Sequence, residues 1–407
     1  MPESIARRKV RMALVGGGEG AFIGPVHRMA AELDGHITLV AGAFSNDAQR
    51  SIRSGTGLYG LPAERCYPDY QTMFAAQATL PPAERIDFVT IATPNHLHAP
   101  IAHAALDAGL HVVCDKPVTH RLADALALRE RLVKTDRLFA LTYNYSGYPM
   151  VREARALIQA GRLGSIRKVV CEYFQGWLAE DVESRGNRQA EWRTDPERSG
   201  AAGCFGDIGS HAQHLLEFVS GCVVGSLCAD LSTFVPGRRL DDDGTVLLRF
   251  DNGAKGVLMA SQIAVGEENN LRLRVYGDKG ALAWSQMEPN SLTLRWPDHS
   301  MQTLRTGGPG GSPAGSAVTR LPAGHPEGYL EAFAALYRNF AQDVLRVERG
   351  ASPERDYPGV EDGVRSLQFI ETAVASSSAN GDWLPLHQDV RQADQRDGSR
   401  VEWMTEL

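Results

Sequence analysis

The chain predicts an α/β protein of two domains: a doubly wound parallel sheet at the N-terminus, then an α+β domain around a largely antiparallel sheet. Three observations carry this. Its 407 residues exceed the size at which a single core keeps growing, so the chain divides. Short β-rich runs alternate with helix-like segments up to about Tyr145, the pattern of parallel strands joined by crossover helices. From about Pro149 the strands instead follow one another, and "DNG" at Asp251–Gly253 joins two of them as a hairpin turn would. The boundaries fall at 1–148 for the first domain and 149–387 for the second, with a polar tail at 388–407.

In the first domain the candidate strands are "VRMALVG", "HITLVAGAFS", "IDFVTIAT", "HVVCD" and "LFALTY". Between them "HAPIAHAALDAGL" and "RLADALALRERLVKTD" carry apolar residues at helical spacing, and Gly109 ends the first. The second domain opens with a helix, "MVREARALIQAG". The strands "IRKVVCEYF", "SLCADLSTFV", "TVLLRFDNGAKGVLMASQIA", "LRLRVYG" and "GALAWSQ" follow. "TGGPGGSPAG" is a loop by composition. Beyond it, Leu330, Phe333, Tyr337, Phe340 and Val344 share one helical face, with Pro326 in the first turn, and that helix is expected to pack on the sheet.

Composition narrows the function. Hydrophobic content of 43% and charged content of 22% describe an ordinary folded protein. A net charge of -7 argues against nucleic acid, which calls for a basic face, so a small-molecule partner is expected. No apolar run reaches the ~18 residues that cross a membrane. The six cysteines are scattered without paired spacing, which argues against a zinc site or redox couple and fits a reducing, cytoplasmic setting. His96 and His98 lack a third ligand at metal spacing, so no metal is expected.

The first strand runs into Gly16, Gly17 and Gly18, and a helix-like segment follows from about Pro25. Glycines let backbone N–H groups approach a pyrophosphate while the helix turns its positive end to the charge. The spacing departs from the usual fingerprint. Ala21 stands where a third glycine is common and the next is Gly24, which implies a longer loop through Ala21, Phe22 and Ile23. The second strand ends in Ser45 and Asn46 where an acidic ribose-reading residue is usual, and Arg50 could meet a 2′-phosphate. NAD and NADP both stay open.

Two motifs lie at the ends of later parallel strands, where open α/β sheets bind ligands: "IATPNHLH" (Ile91–His98) and "CDKPV" (Cys114–Val118). A third, "GAAGCFGDIGSHAQHLLEF" (Gly200–Phe218), places Asp207, His211 and His214 at helical spacing. Together these resemble the Gfo/Idh/MocA family of glucose–fructose oxidoreductase, inositol dehydrogenase and the rhizopine-catabolism proteins. The resemblance implies a Rossmann nucleotide domain, with Thr93, Pro94, Asn95 and His98 beside the nicotinamide nucleotide. Asp115 stands for the glutamate of the family's Glu-Lys-Pro motif and Lys116 is its active-site lysine, both also expected beside the nucleotide. It also implies a homo-oligomer, a dimer or tetramer.

The function expected is an NAD(P)-dependent dehydrogenase or reductase acting on a hydroxyl of a sugar, sugar derivative or cyclitol. His211 would take the hydroxyl proton, Asp207 hold the imidazole, and Lys116 steady the developing alkoxide. Where the family often has an arginine, "YNYSGYP" offers Asn144, Tyr145 and Tyr148 as substrate contacts, joined by Trp192, Arg193, His214 and His325. Two alternatives remain. One is a glycosidase working by transient oxidation with NAD; the other is a non-catalytic nucleotide-binding regulator.

Overall fold

The computed structural model describes residues 8–386, so the polar tail expected at 388–407 lies outside the described residues. A five-stranded parallel sheet forms from β1 (Val10–Gly16), β2 (Ile37–Ala43), β3 (Phe88–Ala92), β4 (His111–Cys114) and β5 (Phe139–Leu141), in the order β2-β1-β3-β4-β5. An isolated parallel bridge between Gly42 and Cys66 extends it beyond β2. All five β3 residues are buried, as a strand covered on both faces requires.

The helices in chain order are α1 (Ile23–Leu33), α2 (Ala48–Arg53), α3 (Tyr70–Thr79), α4 (His98–Asp107), α5 (Leu122–Val133) and α6 (Pro149–Gln159). Then come α7 (Arg188–Arg193), α8 (Pro196–Ser199), α9 (Ser210–Ser220), α10 (Pro313–Ser316), α11 (Tyr329–Glu348) and α12 (Val360–Ser378). Alternation along β1 sorts them onto the parallel sheet. Ala13 and Val15 join a core with Ile101, Leu106 and Leu128 of α4 and α5. Met12 and Leu14 join another with Phe333, Tyr337 and Phe340 of α11.

The last point settles where the late helix goes. The face read from its sequence is the one it buries, with Leu330 at the edge of that core, yet the sheet it covers is the parallel one. The chain therefore returns to its first domain after completing the second. The helix also starts later than Pro326 suggests, at Tyr329, where the Gly328 N–H donates to Glu331 Oε2 at 2.8 Å.

The second sheet has nine strands: β6 (Ile166–Phe174), β7 (Val224–Ser232), β8 (Asp243–Phe250), β9 (Lys255–Ser261), β10 (Asn270–Gly277), β11 (Ala281–Ser285), β12 (Ser291–Arg295), β13 (Gln302–Arg305) and β14 (Leu384–Pro385). Their order is β13-β12-β11-β10-β6-β9-β8-β7-β14. The pair β6 and β9 is parallel, and the other neighbours run antiparallel. Helices α6, α9 and α12 share one core with this sheet, while Thr245, Leu247 and Arg249 of β8 face outward and exposed. Helix α12 carries apolar residues at helical spacing, Val360, Val364, Leu367 and Ile370, which the sequence reading did not single out. Its Gly363 explains why the two domains pack closely there, since a Cβ at that position would sit 2.5 Å from Val118 and 2.7 Å from Leu141.

Candidate active site

A cleft of 1230 Å³ opens at the C-terminal ends of the parallel strands and runs to the second sheet. Its first wall is the glycine loop. Gly16, Gly17 and Gly20 have positive φ (86°, 68° and 84°), a region that favours residues without a Cβ. Gly24 plays the part of the missing third glycine. A Cβ there would lie 2.4 Å from Gly17 Cα and 2.6 Å from the Tyr59 hydroxyl, so its absence lets α1 press against the loop. Tyr59 braces the turn by donating to the Gly17 carbonyl at 2.5 Å.

Helix α1 begins with no capping side chain and no acidic residue in its first turn, leaving its N-terminal N–H groups for an anion. Farther along, Thr93 Oγ1 and Asn144 Nδ2 are buried without partners among the described residues, and both residues line the cleft. Buried polar atoms without partners are rare in a folded protein. A loop that seats phosphates and unsatisfied polar groups farther along the cleft together fit a dinucleotide beside a polar substrate.

Gly16, Gly18, Ala21, Phe22 and Ile23 line this wall, and Ser45, Asn46 and Arg50 flank its outer end. Thr93, Pro94 and Asn95 line the opposite side. Asn95 also reaches the second domain, donating from Nδ2 to the Ser199 carbonyl at 2.9 Å. His98 does not reach the cleft. It is wholly buried, with Nδ1 2.7 Å from the Pro117 carbonyl and Nε2 2.9 Å from that of Thr93. The expected nucleotide contact is thus a brace between the two motif loops.

The chemistry converges at Lys116. Its Nζ donates to Asp207 Oδ1 at 2.5 Å and to the Asp207 carbonyl at 2.9 Å, and both side chains are mostly buried. Asp207 Oδ2 accepts from Gln262 Nε2 at 3.0 Å and Arg193 Nε at 3.2 Å. Burial alone would raise this carboxyl's pKa, but Lys116 and Arg193 hold it well below the usual carboxylate range. Behind it, Asp115 Oδ1 accepts from the Lys116 N–H at 2.9 Å and the Thr142 hydroxyl at 2.8 Å.

His211 lines the same corner, packed edge-on against Tyr143 and Tyr145. Burial, with the Lys116 charge second, pulls its pKa well below the ordinary histidine value, so the ring is neutral at pH 7. Asp207 does not hold it as the helical spacing suggested. Asp207 lies in a wide π-helical turn, Phe205–Gly209, ahead of α9, and its oxygens are taken by Lys116, Arg193 and Gln262. The carboxylate orients the lysine instead.

Among the expected substrate contacts, Asn144, Tyr145, Trp192 and Arg193 line the cleft, the Arg193 guanidinium lying 4.2 Å over the Trp192 ring. Three do not. Tyr148 is buried beside Trp284. His214 stacks on Tyr143 at 4.3 Å, one helical turn past the corner and facing the core. His325 is exposed in the loop before α11, Nδ1 3.1 Å from the Pro322 carbonyl.

The structure adds Tyr173, Asn269 and Tyr329, which the sequence did not flag, to the Tyr145 and Phe333 that it did. Tyr145, Tyr173 and Asn269 form a hydrogen-bonded triangle on the cleft wall, with Tyr145 Oη 2.5 Å from Tyr173 Oη and Tyr173 donating to Asn269 Oδ1 at 2.6 Å. Tyr329 and Phe333 reach the cleft from α11. Tyr173, Asn269 and Tyr329 sit in no motif; strand register and the return of α11 bring them there.

A model of the oxidoreductase family with an NAD-binding Rossmann fold matches residues 10–143, and one of the GFO/IDH/MocA C-terminal domain matches 151–283. An uncharacterised oxidoreductase of Bacillus subtilis (strain 168) is 35% identical over 94% of this chain and 98% of its own length. An inositol dehydrogenase homolog from Azotobacter vinelandii, solved with NAD+, superposes with a TM-score of 0.89 at 36% identity over 93% of this chain and 97% of that one. The same protein with NADH and myo-inositol gives 0.86 at 35%, over 93% and 98%. Levoglucosan dehydrogenase, solved with NADH and levoglucosan, gives 0.80 at 25%, over 94% and 100%. The chain belongs to the Gfo/Idh/MocA family of NAD-binding oxidoreductases.

Proposed function

We propose that the protein oxidises a secondary hydroxyl of a cyclitol, sugar or sugar derivative to the ketone, and that Lys116, His211 and Asp207 carry the chemistry. The single observation behind this reading is the Lys116–Asp207 contact of 2.5 Å beside a buried, neutral imidazole. NAD, seated along the glycine loop, supplies the hydride acceptor. His211 takes the hydroxyl proton on Nε2, the ring nitrogen left to the cleft. A neutral imidazole is the form that can accept it. Lys116 faces the oxygen and favours its anionic form, while Asp207 and Arg193 fix where the ammonium sits. Tyr145, Tyr173 and Asn269, with Gln175 and Gln286 nearby, offer donors and acceptors matched to a ring of hydroxyls.

The relatives' myo-inositol and levoglucosan set the first substrates to try. The test is absorbance at the reduced-nicotinamide band with NAD+ or NADP+ and a panel of cyclitols, sugars and glycosides. Sustained NADH formation with a cyclitol or sugar is the expected result, and release of sugar from glycosides without net NADH would overturn it in favour of a glycosidase. NADP+ belongs in the panel because Arg50 lines the cleft beside Ser45 and Asn46.

We further infer a homo-oligomer joined through the outward face of the nine-stranded sheet, where Leu247 and Tyr276 are 45% and 37% exposed. Light scattering from the purified protein tests it. The six thiols, all free, suit a reducing, cytoplasmic compartment.

A further inference from the structure

Directly behind the catalytic strand end sits a buried histidine that the reaction as described leaves unused. His27 of α1 is wholly buried. Its Nδ1 lies 2.8 Å from the Tyr337 hydroxyl on α11, which in turn lies 3.1 Å from the Thr90 hydroxyl on β3. The ring is wedged edge-on against Phe333 and Tyr337. Its other nitrogen, Nε2, is buried with no hydrogen-bond partner among the described residues, and the atom across from it is Asp115 Oδ2, 3.8 Å away.

The group facing each ring nitrogen bears on where the ring proton sits. Thr90 Oγ1 lies 3.3 Å from Met12 Sδ, to which it donates, as well as 3.1 Å from Tyr337, so the hydroxyls alone leave the tautomer open and the carboxylate facing Nε2 decides it: a proton on Nε2 serves Asp115 and leaves Nδ1 to accept from Tyr337. Asp115 Oδ1 is already satisfied by the Lys116 N–H and the Thr142 hydroxyl, so Oδ2 is the oxygen in want of a donor. The gap of 3.8 Å exceeds a hydrogen bond, and a small rotation of the short aspartate side chain closes it.

We propose that His27 is a positioning residue for the dehydrogenase reaction, donating from Nε2 to Asp115 and thereby fixing the turn that aims Lys116. This rests on the reading given under Proposed function. The returning helix then has a part in the chemistry, because Tyr337 of α11 donates to the histidine that holds the catalytic strand end. Three elements distant in sequence meet behind one lysine.

The test uses two amides in the full chain. Glutamine at position 27 places its amide near the Nε2 position, and asparagine places it near Nδ1. His27→Asn is expected to lower kcat on the order of tenfold, the size of effect seen when a group orienting another ligand is lost, with the Kd for NAD within threefold of wild type. His27→Gln is expected to restore kcat to within threefold. A merely structural role would move both variants together, and equal kcat values for the two overturn the proposal. Nitrogen-15 histidine spectra of the wild-type protein give an answer independent of turnover and of whether the variants fold. A neutral Nε2–H ring at His27 whose signal moves in Asp115→Asn is expected, and an Nδ1–H ring overturns the proposal. If the wild-type protein forms no NADH, the functional reading fails; if it does and the two amides behave alike, only the role of His27 fails.

Discussion

The two ends of the cleft are built by opposite means. The phosphate end is one continuous stretch, Gly16 to Gly24, whose function comes from what is missing: side chains at Gly16, Gly17 and Gly24 would meet backbone at 2.4–2.6 Å. The catalytic corner comes from what is present, and it is assembled from remote segments. Lys116 follows β4 by two residues, Asp207 precedes α9 and His211 lies in its first turn, Arg193 belongs to α7 and Gln262 follows β9. Binding is therefore a local property of the chain and catalysis a tertiary one. The two should be separable by mutation.

The largest expected separation comes from Lys116→Ala. Loss of one charge at a developing oxyanion removes ~3 kcal/mol of transition-state stabilisation, roughly a hundredfold or more in kcat. Asp207→Asn should follow, with kcat down roughly tenfold to a hundredfold, because Lys116 and Arg193 then share no carboxylate and the ammonium loses its fixed place; steady-state kinetics read the change in kcat. At the other end, Gly24→Ala should raise the KM for NAD about tenfold with kcat little changed and lower stability by about 1–3 kcal/mol as the loop and α1 are pushed apart. Paired kinetics and urea titration check this.

The smallest effect concerns stability alone. His111 on β4 accepts a hydrogen bond from the Leu138 N–H on Nδ1 at 2.8 Å, and burial, aided by the nearby Arg137, pushes its pKa down to about 4. Its folded value lies below the unfolded ~6.5, so the unfolded chain protonates first. The stabilisation is complete above that value and drains as pH falls toward 4, by about 2 kcal/mol between pH 7 and 5. Asp241, pushed up to about 6 by burial, titrates in the same window with the opposite sign. The His111 share is therefore read as the difference between wild type and His111→Gln: the variant should lack about 2 kcal/mol of the rise in stability from pH 5 to pH 7.

This contrast also explains what the sequence could tell. The alternation of β-rich and helical runs marked out the strands of the first sheet, since fully buried parallel strands are apolar throughout, as "FVTIA" of β3 is. A strand-end motif led to Lys116, which precedes Pro117, and a glycine-rich lead into a helix led to Asp207 and His211, with Gly206 and Gly209 marking that turn. The partnership among them was not legible. Helical spacing suggested that Asp207 serves His211, but the π-helical turn at Phe205–Gly209 and the approach of Lys116 from the other domain depend on packing that periodicity does not encode. His98 and His214 misled for a similar reason: a histidine beside a functional residue in sequence faces another direction once the helix turns. Gln262, Asn269 and Tyr173 were silent, as they are ordinary strand-end residues until the register of β6, β9 and β10 brings them together. Tyr337 was read correctly as part of an apolar face, and its hydroxyl's partner, His27, lay 310 residues away.

The most direct test of separable binding and catalysis is titration of NADH into wild type and Lys116→Ala side by side, read by the fluorescence of the bound nucleotide, with kcat measured on the same samples. The account predicts Kd values within threefold of each other and a kcat lower by roughly a hundredfold or more. A Kd that rises in step with the fall in kcat would contradict it, placing Lys116 among the groups that hold the nucleotide rather than those that act on the substrate oxygen.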